Sequence, residues 1–338
     1  MAQIQILMAT YNGEKYIQQQ LDSLLAQTNQ DWELLIRDDN STDSTQNIIA
    51  KFQAKHPGKV SIIRDHPDGQ PNKQLGPAQN FGRLLEQSSA PYVMFADQDD
   101  VWHPDKILRS LKKIKSLEKI DDPKKPLLVY SDFALSDSQN NILAESANRA
   151  WNLRLANNGI RRLLIEEPVY GMTMLFNRSL VKKVLHIPAT ASMHDSWVTK
   201  VAALTGKVGY IDRSLADHRL HETNVTVFNN PKLSLYERVS NALTDGITNS
   251  LIGKQTNYSA RMKYSANMAE ILLKQYRDEI TPQNRQLLAA CVDLPSQPFL
   301  KRPEIILRNR LLPNDYRYAL ETLIFSALPP SNGTKSRG

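Results

Sequence analysis

Between residues 3 and 135 the chain alternates two patterns, and few folds accept that alternation. Short β-rich apolar runs (IQILMA, WELLIRDD, VSIIRD, YVMFAD, LLVYSDFAL) are separated by segments whose apolar residues recur at helical spacing. Ile17, Leu21, Leu24 and Leu25 share one helical face, and Ile107, Leu108, Leu111, Ile114 and Leu117 share another. Thr45 to Lys55 and Pro77 to Gln87 read as further helices of the set. Strand, helix, strand in repetition implies an α/β domain: a mainly parallel sheet flanked by helices, with ligands gathered at the carboxyl ends of the strands.

The polar residues concentrate at those strand ends. Thr10, Tyr11, Asn12, Gly13 and Glu14 follow the first strand, Asp38, Asp39, Asn40 and Ser41 the second, and Asp97, Gln98, Asp99 and Asp100 the fourth. Any one of these loops alone is compatible with a solvated turn, and Asp43 or Ser44 reads as a helix cap. Three loops on one edge point to a site. Asp97-Gln98-Asp99 is a D-x-D arrangement, in which hard oxygen ligands can hold a divalent cation while leaving positions open for phosphate oxygens.

Bulk properties narrow the setting. With 338 residues, 41% of them hydrophobic, the chain can bury a substantial core. No stretch approaches the roughly 18 consecutive apolar residues of a membrane span, and the amino terminus runs into a strand pattern instead of a signal peptide. The single cysteine, Cys291, excludes an internal disulfide and a thiolate metal cluster. A cytoplasmic location is expected. The net charge of +7 suggests an anionic partner without choosing among nucleotide, nucleic acid and acidic lipid.

From residue 232 onward the character is helical, with scattered basic residues: Leu233 to Ala242, Ala260 to Ile280, Gln283 to Cys291 and Tyr316 to Leu328. A boundary is expected near Phe228 to Pro231, giving a domain of residues 1–230, a helical region of 231–330 and a loose tail of 331–338. Residues 298–338 hold seven Lys or Arg against three Asp or Glu, interleaved with apolar residues in IILRNRLL and YRYALETLIFSAL. Such a surface suits packing within the fold, a homodimer, or an anionic bilayer.

Three segments together carry a specific resemblance. TYNGEKYIQQQLDSLLAQT, WELLIRDDNSTDST and NFGRLLEQSSAPYVMFADQDDVWHPDKI are similar, in order and spacing, to the signature segments of glycosyltransferase family 2, enzymes of GT-A fold that use nucleotide-diphosphate sugars. DQDDVW, with HDSW and RLHETN downstream, most resembles the branch that transfers rhamnose from dTDP-L-rhamnose into bacterial polysaccharides. The resemblance implies that Thr10, Tyr11 and Asn12 surround the pyrimidine and ribose, with Tyr11 against the base and Asp39 accepting from its N3–H; Glu14, Asn80 and Gln98 extend the nucleotide-sugar set. Asp97 would lie near ribose and metal, Asp99 would be the principal ligand, and Asp100 would support them. The commoner family pattern has an arginine where this chain has Gln79; Lys73, ahead of a helix whose amino terminus could attract phosphate, is a candidate substitute for diphosphate recognition, with a solvent-exposed loop lysine as the alternative.

The same resemblance places Asp195 as the base of an inverting transfer, with His194 and Trp197 beside it at the acceptor; a cap on a helix from Ser196 to Leu204 is the alternative for Asp195. His221, in an R-x-H-x-x-N pattern with Arg219 and Asn224, would complete the metal site, and an imidazole favours Mn²⁺ over Mg²⁺. Other D-x-D or α/β enzymes fit less well. A haloacid-dehalogenase phosphatase needs the motif after its first strand, a nucleotidyltransferase needs a glycine-rich phosphate loop, and a dehydrogenase needs G-x-G-x-x-G. A non-catalytic relative would be expected to lack Asp99 or Asp195, and both are present. The expectation is a metal-dependent transfer of L-rhamnose from dTDP-β-L-rhamnose to a lipid-linked glycan, with a UDP-hexose donor as the alternative and no nucleic-acid partner.

Overall fold

The computed structural model describes residues 2–65, 72–120, 122, 124–221, 247–313 and 316–329. Its first elements are β1 (Ile4–Thr10), α1 (Ile17–Leu25), β2 (Trp32–Asp38), α2 (Thr45–Lys55), β3 (Val60–Ile62), α3 (Pro77–Gln87), β4 (Tyr92–Ala96), β5 (Val101–Trp102), α4 (Lys106–Glu118) and β6 (Leu127–Ser136). Helices α2 and α3 start and stop where the sequence pattern places them. In α3 the reason is visible: Pro77 fits the first helical position, and Gly76, at φ 76°, has a left-handed backbone from which no helix runs upstream. After β6 come β7 (Ile142–Ala144), α5 (Ala147–Ala150), α6 (Ile160–Leu163), β8 (Met174–Asn177), α7 (Arg178–Val184), α8 (His194–Thr205) and β9 (Lys207–Arg219).

Among the described residues nine strands form one sheet, in the order β3-β2-β1-β4-β8-β6-β9-β5 with β7 on β6. From β3 to β4 all pairings are parallel, as expected. Beyond β4 the sheet is mixed. β8 runs antiparallel to β4 and β6, β6 is parallel to β9, and β5 is antiparallel to β9. Strand direction is not written in the apolar pattern of one strand, so the sequence carries no sign of this reversal.

Helices α1, α2 and α4 cover the sheet through the residues their periodicity set aside. Ile17, Leu21, Leu24, Ile49, Phe52, Ile107, Leu111 and Ile114 join Ile4, Ile6, Met8, Leu34 and Ile36 in one buried cluster. Each such side chain contributes about 1.5–3 kcal/mol by leaving water. The polar loops after β1, β2 and β4 therefore stand on a rigid floor.

Residues Met1–Asn158 and Glu167–Glu222 form one compact unit; Gly159–Glu166 groups with Thr223–Gly338 in a second. Within the second unit lie α9 (Ile247–Tyr276), α10 (Pro282–Asp293), α11 (Arg302–Asn309) and α12 (Tyr316–Ser326). Met268, Ala269, Leu272, Leu288 and Leu311 are buried in it, while Leu300, Leu307, Leu320 and Ile324 are exposed. Helix α9 starts earlier than the expected Ala260 and ends at Tyr276 instead of Ile280. The expected helix Leu233 to Ala242, the boundary at Phe228 to Pro231 and the tail 331–338 lie outside the described residues. No described helix is long and apolar enough to cross a membrane.

Candidate active site

The loops after β1 and β2 are stitched together by their own polar side chains. Thr10 Oγ1 donates to Asp38 Oδ1 at 2.8 Å, and the Asn12 amide donates to Ser41 Oγ at 2.8 Å. Asn12 Oδ1 accepts from the Thr42 amide at 2.9 Å, and Glu14 Oε2 accepts from the Ser44 amide at 2.8 Å, beside the amino end of α2. Thr10, Asn12 and Glu14 thus spend their side chains on shaping the cleft. The Tyr11 side chain is different: the residue is 46% exposed, available as a flat apolar face.

Asp39 is also occupied with structure. It is 3% exposed, and its carboxylate accepts from the Leu75 and Gly76 amides at 2.9 and 2.8 Å and from Arg37 at 3.0 Å. Arg37 is the hub that sequence reading missed. It is fully buried at the end of β2, and it donates to Asp39, to Asn80 Oδ1 at 3.0 Å, to Asp65 Oδ2 at 2.5 Å and to the Lys73 carbonyl at 2.9 Å. Asn80, 1% exposed, returns a bond from Nδ2 to the Arg37 carbonyl. Lys73 itself is exposed and lines a groove of about 390 Å³ with Arg64, Asp65 and Arg83.

The acidic loop after β4 meets the end of β9. Strand β9 runs through Arg219, so His218 and Arg219 belong to the strand itself, and only His221 lies beyond it. Asp100 is fully buried; its Oδ1 accepts from His218 Nδ1 at 2.9 Å and from the Arg219 amide at 3.3 Å. Burial opposes charge on His218, but Asp100 outweighs it and raises the imidazole above its ordinary range. Asp99 Oδ2 lies 2.9 Å from His221 Nε2, and the His221 ring packs on Tyr16 with centroids 4.7 Å apart. Burial, then Asp100, Asp99 and Asp195, raise the Asp97 carboxyl well above the usual carboxylate range. Asp97, Asp99, His221 and Asp195 therefore share one electrostatic neighbourhood. Gln98 sits at its rim and bonds the Tyr11 backbone from both sides.

Among the described residues no three His, Cys, Asp or Glu side chains are arranged to hold a metal ion as they stand. The donor chemistry nevertheless suits a divalent cation. Asp99 and His221 are already in contact, and Asp97, raised by the carboxylates around it, would be stabilised by a positive charge among them.

Asp195 stands in the first turn of α8, which begins at His194, two residues before the expected Ser196. Its Oδ1 accepts from the Ser196 amide at 2.7 Å and its Oδ2 from the Gly171 amide at 2.9 Å, so the carboxylate has a fixed orientation. Burial, and then the Glu167 charge, push it up to about 6, against the two amides and Lys200. A carboxylate so poised accepts a proton near neutral pH. His194 and Trp197 are placed otherwise than the resemblance implied. Trp197 is fully buried, and His194, 2% exposed, stacks on Phe81 at 3.8 Å and is pushed by burial down to about 3. α8 is buried on nearly every face, so neither ring presents a platform to solvent.

Comparison with known proteins gives one consistent family. The profile of glycosyl transferase family 2 matches residues 5–183. The dTDP-rhamnosyl transferase RfbG of Shigella flexneri is 40% identical over 107 residues, 31% of this chain and 35% of that protein, so the chain matches about a third of its length. An uncharacterized glycosyltransferase of Nostoc sp., alr2836, is 27% identical over 81% of this chain and 83% of its own. Among solved structures, Staphylococcus aureus TarS 1–349 is 16% identical, with a TM-score of 0.53 over 96% of this chain and 89% of that one. The mannosyltransferase PcManGT of Pyrobaculum calidifontis, in complex with GDP-Man and Mn²⁺, is 15% identical with a TM-score of 0.51 over 96% of this chain and 87% of that one. These likenesses show a GT-A fold with a helical carboxyl-terminal region.

Proposed function

The chain belongs to glycosyl transferase family 2, and from that premise we propose that it transfers L-rhamnose, with inversion, from dTDP-β-L-rhamnose to a lipid-linked cell-surface glycan. The observation that supports this reading is that Asp97 feels the charges of Asp100, Asp99 and Asp195, while Asp195 is held by the Gly171 and Ser196 amides, so the carboxylates proposed to hold a cation and the proposed base share one neighbourhood. The choice of rhamnose rests on the 40% identity to a dTDP-rhamnosyl transferase.

In this reading Tyr11 stacks on the pyrimidine, and the loop held by Thr10, Asn12 and Glu14 borders the ribose. Asp39 reaches the base edge only while it also holds Leu75 and Gly76, so it acts chiefly by shaping the pocket. Asp99 and His221, joined by Asp97, would hold a divalent ion, Mn²⁺ or Mg²⁺, which when bound neutralises the departing diphosphate. Asp195 takes the proton of the acceptor hydroxyl as that oxygen attacks the anomeric carbon. Its two amide donors keep the carboxylate aimed while it does so. A lipid-linked acceptor gives the exposed apolar and basic side chains of the second unit a partner in an anionic membrane surface, from the cytoplasmic side.

The test is a donor panel with Mn²⁺, read by nucleotide release and thermal shift. Preferential response to dTDP-rhamnose is expected. Response to UDP-sugars alone transfers the assignment to a UDP-hexose donor, because uracil and thymine present the same N3–H, and no response to any donor ends the reading.

A further inference from the structure

At the β3 edge of the sheet a second concave surface carries charge of mainly one sign. Ile63, Arg64 and Asp65, which follow β3, line a groove of about 390 Å³ together with Lys73 and the α3 residues Arg83 and Gln87. Arg64, Lys73 and Arg83 are all exposed. Among the described residues the side chains of Arg64 and Lys73 make no hydrogen bond or ion pair, and Arg83 pairs with Glu86 at 3.0 Å one turn along its own helix.

The one carboxylate in the lining is engaged elsewhere. Asp65 Oδ1 accepts from Arg37 Nε at 3.4 Å, and its Oδ2 accepts from a second Arg37 nitrogen at 2.5 Å and from the Lys73 amide at 3.1 Å. The bond from Arg37, which is fully buried, holds the Asp65 carboxyl below the usual carboxylate range. Both oxygens of Asp65 are thus turned to groups other than the three cations that share the groove with it.

The groove also stands apart from the acidic loop. In the order β3-β2-β1-β4 two strands separate β3 from β4, and neighbouring strands lie about 4.8 Å apart, which puts the groove about 14 Å to the side of the loop that carries Asp97 and Asp99. We propose that it is a phosphate site of its own, in which Arg64, Lys73 and Arg83 together hold a phosphomonoester or diphosphate group. A phosphomonoester carries a charge of about −1.5 to −2 near pH 7 and three strong acceptor oxygens, a match for three cationic donors. The two guanidinium groups meet such oxygens with paired N–H donors, and the ammonium adds a point charge. Spread over a convex surface, three cations would each be solvated separately. In one hollow their fields add, and an anion among them relieves their mutual repulsion.

A phosphate of this kind comes free in solution or as the headgroup of a lipid, and the experiment has an arm for each. Isothermal titration of the full chain with inorganic pyrophosphate, with EDTA present and ionic strength held by KCl, reads the groove without donor, metal or turnover, so it stands whatever sugar is transferred. Saturable binding is expected, weakened about tenfold in Arg64→Gln and again in Arg83→Gln. Both replaced side chains are exposed, and a melt of each variant without anion checks that it folds. The second arm is sedimentation with phosphatidylcholine vesicles that do or do not contain phosphatidic acid. Retention on the phosphatidic acid vesicles alone, lost in the same two variants and without pyrophosphate binding, assigns the groove to a lipid headgroup; pyrophosphate binding that the variants lose assigns it to a soluble phosphate. Binding of neither probe overturns the inference. So does binding that both variants retain, which belongs to another basic surface or to the donor site, and so does displacement of pyrophosphate by an equal concentration of chloride, which is screening only.

Discussion

Gln98 grips Tyr11 by both of its backbone groups. The Tyr11 amide donates to Gln98 Oε1 at 2.9 Å, and Gln98 Nε2 donates to the Tyr11 carbonyl at 2.9 Å, across 87 residues of chain. This joins the loop after β1 to the loop after β4 and sets the angle at which the exposed tyrosine ring meets the cleft. The middle residue of the D-x-D motif therefore acts as a brace.

The brace explains Gly13. A Cβ there would lie 2.3 Å from Gln98 Oε1, so Gly13→Ala must push the glutamine off Tyr11. Because a flexible side chain gives way, the loss in stability is expected to be that of two hydrogen bonds, about 1–3 kcal/mol. The nucleotide KM is expected to rise about tenfold in Gly13→Ala and in Gln98→Ala alike. The double variant should show no further rise, since both changes remove one clasp. Additive effects would mean that Gly13 acts on its own.

Asp99 and Asp195 separate under substitution. Asp99→Asn removes the carboxylate paired with His221 and is expected to abolish Mn²⁺-dependent tightening of nucleotide binding together with turnover. Asp195→Asn keeps the size of the side chain, and donor binding should persist while kcat falls about 10²–10⁴-fold. Isothermal titration with nucleotide and Mn²⁺, beside the rate assay, distinguishes the two. An Asp195→Asn enzyme of full activity would reduce that residue to a structural bond between Gly171 and α8.

The pH profile follows from the same carboxylate. Asp195 must be ionised to accept a proton, and burial with Glu167 sets its pKa at about 6. Above that value the base is ready and kcat/KM should be level; below it the rate should fall about tenfold per pH unit. A limb near pH 4 would show that the base sits in water. The limb should vanish from the residual rate of Asp195→Asn.

Part of this candidate site is legible in the sequence, for specific reasons. Asp97 and Asp99 stand out by residue type, as a D-x-D pair after a strand, whereas Asp195 and His221 enter only through the resemblance to the family. Helices α2 and α3 were legible because a helix is specified locally, by period and by Pro77. What failed to show was tertiary. Trp197 and His194 are apolar-compatible residues next to a polar one, and only the packing of α8 decides that they turn inward. Arg37 sits in a strand pattern like any other residue until Asp65, the Lys73 carbonyl and Asn80 are brought to it. Glu167, in a Glu-Glu-Pro stretch, is indistinguishable from a solvated turn before Ser192, Ser196 and Lys200 are brought to it.

Lys106 gives a test of buried charge. It is fully buried at the start of α4, 4.7 Å from the Trp102 ring, and burial pulls its pKa down to about 7 even though Asp100 opposes that shift. Its folded pKa lies below the unfolded 10.5, so the unfolded chain binds more protons in between, and stability rises with pH over that window. Lys106→Met should therefore exceed the wild type in melting temperature most below about pH 7, with the gap closing as pH climbs towards about 10. A gap independent of pH would mean that the ammonium is solvated or paired.

Arg37 and Asp39 carry the largest expected loss of stability. Every face of the Arg37 guanidinium is met: Asp39 and Asn80 on one nitrogen, Asp65 and the Lys73 carbonyl on the other. Lysine cannot reproduce this fork, since it offers a point charge in place of planar paired donors. Arg37→Lys would leave Asp39 or Asp65 without its counter-charge, at a cost of about 3–5 kcal/mol. Asp39→Asn should be nearly as damaging, because one amide oxygen cannot replace two carboxylate oxygens that hold Leu75, Gly76 and Arg37 together. Both losses should appear in thermal melts with no nucleotide present. If Asp39 served the pyrimidine alone, Asp39→Asn would melt like the wild type and differ only in the size of the shift that nucleotide produces, so the nucleotide-free melt decides between a residue that builds the pocket and one that merely reads its occupant.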